Sequence, residues 1–139
     1  GGADIAEKYT VINKSDIAPG VVVSLSDNNP GKLIASAMAY DRKVVGVISG
    51  ANGINPGVIL SQEGTLAAGE TPITLKGKVW VKCSDENGEV KIGDYLTTSS
   101  QQGIAMKVMS YNDAEGAIIG KAMSPIMSNG YVLVLLTLQ

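Results

Sequence analysis

The sequence has no histidine. That removes the side chain most often used as a general base near neutral pH, and the commonest transition-metal ligand. There is one cysteine, Cys83. A single thiol makes neither an internal disulfide nor a zinc cluster, and no histidine is present to activate it as a nucleophile. It sits in the alternating run Val79-Trp80-Val81-Lys82-Cys83 and reads as a small core residue. Charge is scarce: 17% of the residues are charged against 45% apolar, so part of the surface is expected to be buried against other copies. The net charge of −2 comes with no basic patch, which excludes nucleic acid as a partner class. No apolar run approaches the roughly eighteen residues of a membrane-spanning helix, so membrane insertion is not expected. The glycine-rich stretch Gly50 to Gly57 lacks both the lysine-serine ending of a phosphate loop and the GxGxxG spacing, and reads as a turn. Asp85, Glu86, Asn87 and Glu89 offer oxygens but not the alternating ligand spacing of an EF-hand. No cofactor and no metal is expected.

What the chain does have is short β-branched runs punctuated by glycine. Arg42 to Gly50, RKVVGVISG, is too short to span a membrane and too β-branched for a good helix. It reads as a buried strand in which Gly46 marks a bulge or a close backbone approach. A second version follows at Ala117-Ile118-Ile119-Gly120-Lys121-Ala122-Met123. The lead-ins match too. Pro19-Gly20-Val21-Val22-Val23 resembles Ile92-Gly93-Asp94-Tyr95-Leu96, Asn29-Pro30-Gly31 resembles Gln101-Gln102-Gly103, and Tyr40-Asp41 resembles Tyr111-Asn112-Asp113. One β unit is written twice, at 19–50 and at 92–123.

The remaining stretches fit this pattern. Strands are expected at Val11-Ile12, Val21 to Leu25, Val58 to Leu60, Ile73 to Leu75 and Lys78 to Lys82. In the last of these, Val79 and Val81 share one face, and Lys78, Trp80 and Lys82 the other. Lys32 to Ala39 is ambiguous between a helical turn and a strand. Asp85-Glu86-Asn87-Gly88 carries a hairpin-turn signal. The closing run, Gly130 to Leu138, is almost wholly apolar, so the last strand is expected to be central or buried at a subunit contact. The fold expected is all-β: a pseudo-duplicated β-barrel or sandwich of short strands with little helix. With 139 residues there is room for one such domain, over 11–139, behind a linker and lead-in motif at 1–10. Val132, Val134, Leu136 and Leu138 are the candidate oligomer interface of a homotrimer or another closed homo-oligomer.

Asp4 and Glu7 form a carboxylate pair three residues apart. Such a pair can serve as acid and base on a nearby peptide bond, but from composition alone it reads as ordinary solvated charge. Here the wording of the chain matters. ADIAEKY at Ala3 to Tyr9 resembles the opening motif of the autocleaved C-terminal chaperone domain of phage neck appendages and tail spikes, a glutamic-type autoprotease. VVGVISG at Val44 to Gly50 and KIGDYLTTS at Lys91 to Ser99 resemble its glycine-punctuated strand and a later strand. A looser likeness is to the small trimeric β-barrels that decorate phage capsids.

The resemblance implies a trimeric domain at the end of a long fibre, helping the fibre assemble and cutting itself off before the opening aspartate. Carried over, the bond is Ala3–Asp4, with Asp4 and Glu7 as catalytic candidates. Alanine stands at position 3, where the family can have serine. The expected partners are other copies of the chain and an upstream fibre segment, in a virion or at a cell surface. The alternatives are an enzyme whose sole reaction is self-cleavage, and a fibre-tip module holding a cell-surface glycan on Trp80, Tyr95 or Tyr111.

Overall fold

Short apolar and β-branched runs separated by Gly, Asn, Asp and Pro favour strands that pair with one another. The structure, a computed structural model, describes residues 4–53, 58–60 and 69–138. Its strands are β1 (Ile5–Tyr9), β2 (Val22–Leu25), β3 (Leu33–Ala35), β4 (Val44–Ile48), β5 (Val58–Leu60), β6 (Thr71–Lys82), β7 (Tyr95–Thr98), β8 (Ala105–Lys107), β9 (Ile118–Ala122) and β10 (Tyr131–Leu136). Among the described residues the helical content is one turn of α-helix, α1 (Tyr111–Ala114), and two 3-10 turns, Lys14–Asp16 and Ala51–Gly53. None of these is long and apolar enough to cross a membrane.

The strands make one 10-stranded sheet in the order β3-β2-β4-β6-β10-β9-β7-β8, with β1 also on β6 and β5 on β1. Pairing is antiparallel except between β1 and β5. The sheet curls until its two ends meet. The Val22 N–H donates to Gly103 O at 3.0 Å, and the Gly103 N–H donates to Ser36 O at 2.6 Å. Inside the curl, Val22, Val47, Val79, Val81, Leu96 and Ile119 pack with the inward side chains of β10. A second cluster gathers Val11, Val23, Leu33, Ile48 and Ile73. Each fully buried aliphatic side chain contributes about 1.5–3 kcal/mol, so these two clusters hold the fold together.

The two sequence repeats carry the same pairing. Val23 faces Gly46 as Leu96 faces Gly120, and in each copy the register slips at the next residue. Leu25 faces Leu33 as Thr98 faces Ala105. The two glycines do one job: a Cβ on Gly46 would strike the Thr74 carbonyl oxygen, and one on Gly120 would strike that of Leu135. Gly is needed because the backbone of the next strand lies where a side chain would start.

The correspondence extends past 19–50 and 92–123. Val11 bridges Leu33 in parallel just as Cys83 bridges Ala105. β1 lies antiparallel on residues 71–76 of β6, and residues 77–82 of β6 lie antiparallel on β10. β4 pairs with the first half of β6 as β9 pairs with β10. The long strand β6 therefore closes the first unit with one half and opens the second with the other.

Several local expectations change in the fold. The lead-in at 1–10 contains a paired strand, because Ala6 is fully buried and Ile5–Tyr9 pairs with β6, with Ile5, Ala6 and Glu7 paired to β5 as well. Gly1, Gly2 and Ala3 lie outside the described residues, as do 54–57 of the expected Gly50–Gly57 turn and residues 61–68. Val11 makes an isolated bridge and not a strand. Ile73 to Leu75 and Lys78 to Lys82 are one strand, since Gly77 at φ 102° carries the chain through the junction. The Asp85–Gly88 turn forms, with the Gly88 N–H on Asp85 O at 2.8 Å, but it joins no hairpin, because β7 pairs with β8 and β9. Tyr40-Asp41 and Tyr111-Asn112-Asp113 take different shapes, a turn and a helix, and the turn reaches the segment leading into the helix. The Tyr40 hydroxyl accepts from the Met109 and Ser110 N–H groups at 3.1 and 3.2 Å.

Candidate functional site

The opening carboxylates sit on different neighbours. Asp4, just before β1, is buried at 3% exposure, and its Oδ1 accepts from the Lys78 N–H at 3.0 Å. Gly77 makes room for it: with a positive φ and no side chain, it lets the Asp4 carboxylate lie where a Cβ would otherwise be. A buried carboxylate without hydrogen bonds is costly, so this backbone donor anchors the start of the chain to the junction between the two units. Glu7, half-buried on β1, accepts from the Tyr9 hydroxyl at 3.1 Å through Oε2. Burial raises the Tyr9 phenol above its ordinary value, and the hydrogen bond to Glu7 and its charge raise it further. Asp4 is thus set by β6 and Glu7 by its own strand. The candidate scissile bond, Ala3–Asp4, includes a residue outside those described.

A second cluster was only half legible in the sequence. The acidic turn Asp85 to Glu89 and the polar loop Ser99 to Gln102 are far apart in the chain and meet at Glu86. Its Oε1 accepts from Ser84 Oγ at 2.6 Å, from Ser99 Oγ, and from Gln101 Nε2 at 3.2 Å. The Ser84 and Ser99 hydroxyls, then the Gln101 amide, hold this carboxyl below the usual carboxylate value. Two hydroxyls and one amide thus converge on a single carboxylate oxygen. Asn87 turns the other way and donates to Lys107 O at 3.1 Å. Among the described residues no group of three or more His, Cys, Asp or Glu is placed to hold a metal ion.

Beside this turn lies a cleft of about 630 Å³ lined by Cys83, Asp85, Glu89, Val90, Pro125 and Ile126, of which Cys83 and Val90 are buried. The Cys83 thiol is pushed up to about 12, first by burial and then by the charge of Glu86. It is a core group and not a nucleophile.

The candidate interface residues on β10 are used by the chain itself. Val132, Val134 and Leu136 are fully buried in its own core, and Leu138 is half-buried. Alternation decides this: the inward side chains fill the curl, and Tyr131, Leu133 and Leu135 point outward. Val132, Val134 and Leu136, read in the sequence as interface residues, thus fill the chain's own core, and the side chains that β10 leaves outside it are Tyr131, Leu133 and Leu135.

The aromatic candidates lie on that outer face. Trp80 is half-exposed opposite Leu133. Tyr95 and Tyr111 meet edge to face at 6.1 Å between ring centroids, and the Lys121 ammonium lies 5.5 Å from the Tyr95 ring. Lys78, Leu135, Lys121 and Tyr95 follow one another across four adjacent strands.

No family model matches the chain, and no curated protein matches it. Among solved structures, the chain is similar to the crystal structure of the C-terminal fragment of bacteriophage phi29 gene product 12. The TM-score is 0.57 and the sequence identity 18%, with 98% of this chain and 100% of that chain covered. At that identity the likeness is one of fold, and it spans essentially the whole of both chains.

Proposed function

We propose that this chain is a trimerising assembly domain of a phage-type or other extracellular fibre, joined to an upstream fibre segment and carried on a virion. The observation that carries the reading is the full-length likeness of fold to a C-terminal fragment of a phage protein. Low charge and an outer sheet face bearing Trp80, Leu133 and Leu135 support it. The test is the mass of the purified chain in solution by light scattering. The expected result is three times the chain mass of 14.3 kDa. A value near that of one chain at micromolar concentration overturns the reading.

A second reading, self-cleavage before Asp4, is favoured by the burial of that carboxylate against Lys78. In it, water adds to the Ala3 carbonyl with a carboxylate taking its proton. The C–N bond to Asp4 then breaks, and the proton passes to the new Asp4 amine. Glu7 is the candidate base, and desolvation in the assembled oligomer would strengthen it. A chain extended upstream into native fibre sequence should yield a fragment beginning at Asp4. The Glu7→Gln variant should assemble and stay whole. If parent and variant both remain intact while forming the same oligomer, the cleavage reading fails and the assembly reading stands.

A further inference from the structure

We propose that copies of this chain join through two complementary surfaces. The outer face of β6, β10, β9 and β7 on one copy docks against the acidic cleft at Asp85 and Glu89 on the next. This rests on the assembly reading above and assigns its contact.

The outer face has an apolar row edged by cations. Register sets Trp80 opposite Leu133, and the Met123 N–H bonds Leu133 O at 2.7 Å, which brings Met123 alongside. In the neighbouring row Lys78 faces Leu135, and Leu135 faces Lys121. Met123 and Leu135 are 41% and 40% exposed, and both lysines are exposed. Among the described residues neither lysine forms an ion pair. A sugar would bring hydroxyls that need acceptors, and the paired positions of this face carry no carboxylate or amide. Aliphatic side chains flanked by ammonium groups that have no carboxylate partner suit a protein surface with carboxylates and an apolar wall.

The same chain carries such a surface. The cleft is lined by Asp85 and Glu89 together with Pro125 and Ile126, and neither carboxylate has an ion pair among the described residues. The two surfaces do not serve one another within a chain. Val90 and Ile126 pack onto the inner core, whereas Trp80 and Leu133 lie on the outer side of the sheet. Face on cleft is therefore a contact between unlike patches. Heterologous contacts of that kind give closed rings where the rotation between copies closes and open filaments where it does not, and a ring with an odd number of copies requires one; a self-complementary patch gives pairs.

The experiment compares three variants of the full chain by light scattering and sedimentation, with folding checked by circular dichroism. The first combines Lys78→Glu and Lys121→Glu, the second combines Asp85→Lys and Glu89→Lys, and the third carries all four. Each reversal alone should weaken association by about tenfold or more, and the fourfold variant should recover the parental oligomer to within about threefold. Persistence of the parental oligomer through both reversals overturns this contact and leaves the assembly reading intact. Dissociation by both without recovery in the fourfold variant overturns the pairing of face with cleft. A parent that is monomeric throughout overturns the assembly reading and this inference together. An unchanged oligomer, with retention on an acidic polysaccharide that Trp80→Ala abolishes, assigns the face to a glycan instead.

Discussion

The two close-approach glycines offer a quantitative test of the duplicated fold. An alanine Cβ at position 120 would overlap the Leu135 carbonyl oxygen and lie 2.9 Å from its carbonyl carbon and 3.0 Å from the Leu136 Cα. At position 46 it would overlap the Thr74 carbonyl oxygen and sit 2.9 Å from Ile73 Cγ2. In both places the obstacle includes backbone of the paired strand, so no side-chain rotation relieves it. Forcing extra volume into a packed site costs about 1–3 kcal/mol. Prising the strands apart weakens an adjoining ladder hydrogen bond, worth about 1 kcal/mol more. Gly46→Ala and Gly120→Ala should each lose about 2–4 kcal/mol and lower the melting temperature by about 3–5 °C per kcal/mol. Gly130→Ala is the control. Its φ is 86° with nothing within 4 Å, so only backbone strain of about 1 kcal/mol is expected. Urea denaturation of the three variants at one protein concentration measures the differences. If Gly120→Ala costs no more than Gly130→Ala, the close approach is not what demands glycine. A large loss at one of positions 46 and 120 with none at the other refutes their equivalence.

Two further outcomes follow from the site around Glu86. Its folded value is depressed below the ordinary 4.5, so its contribution is complete above about 4.5 and disappears as the pH falls through the lower folded value. Acid should loosen the contact between the 84–90 turn and the Ser99–Gln101 loop, and Glu86→Gln should flatten that part of an acid-unfolding curve; an unchanged curve shows that the hydroxyl contacts are not what depress it. Cys83, buried and raised to about 12, should react with a disulfide reagent at pH 8 about a hundredfold more slowly in the folded chain than in urea. Equal rates would show that the thiol is open to solvent.

The sequence alone determined the class of fold and its internal repetition. Short β-branched runs between turn residues exclude long helices, and a glycine breaking the same apolar run twice marks the same close approach in two places. Residue-level alternation also placed Trp80 opposite in sense to Val79 and Val81. Tertiary structure decided what such local patterns cannot. Gly130 to Leu138 reads as apolar throughout, and only the curl of the sheet determines that Val132, Val134 and Leu136 fill the chain's own core while Leu133 and Leu135 remain outside. A strand's alternation fixes two faces but does not say which one finds a partner within the same chain. The span of the repeat was hidden for a similar reason. β6 serves both units, and the side chains of β1 share little with those of residues 77–82 because the duplication is preserved in backbone pairing. Glu86 with Ser99, and Asp4 with Lys78, are meetings of residues distant in the chain, and no spacing rule reaches across such intervals.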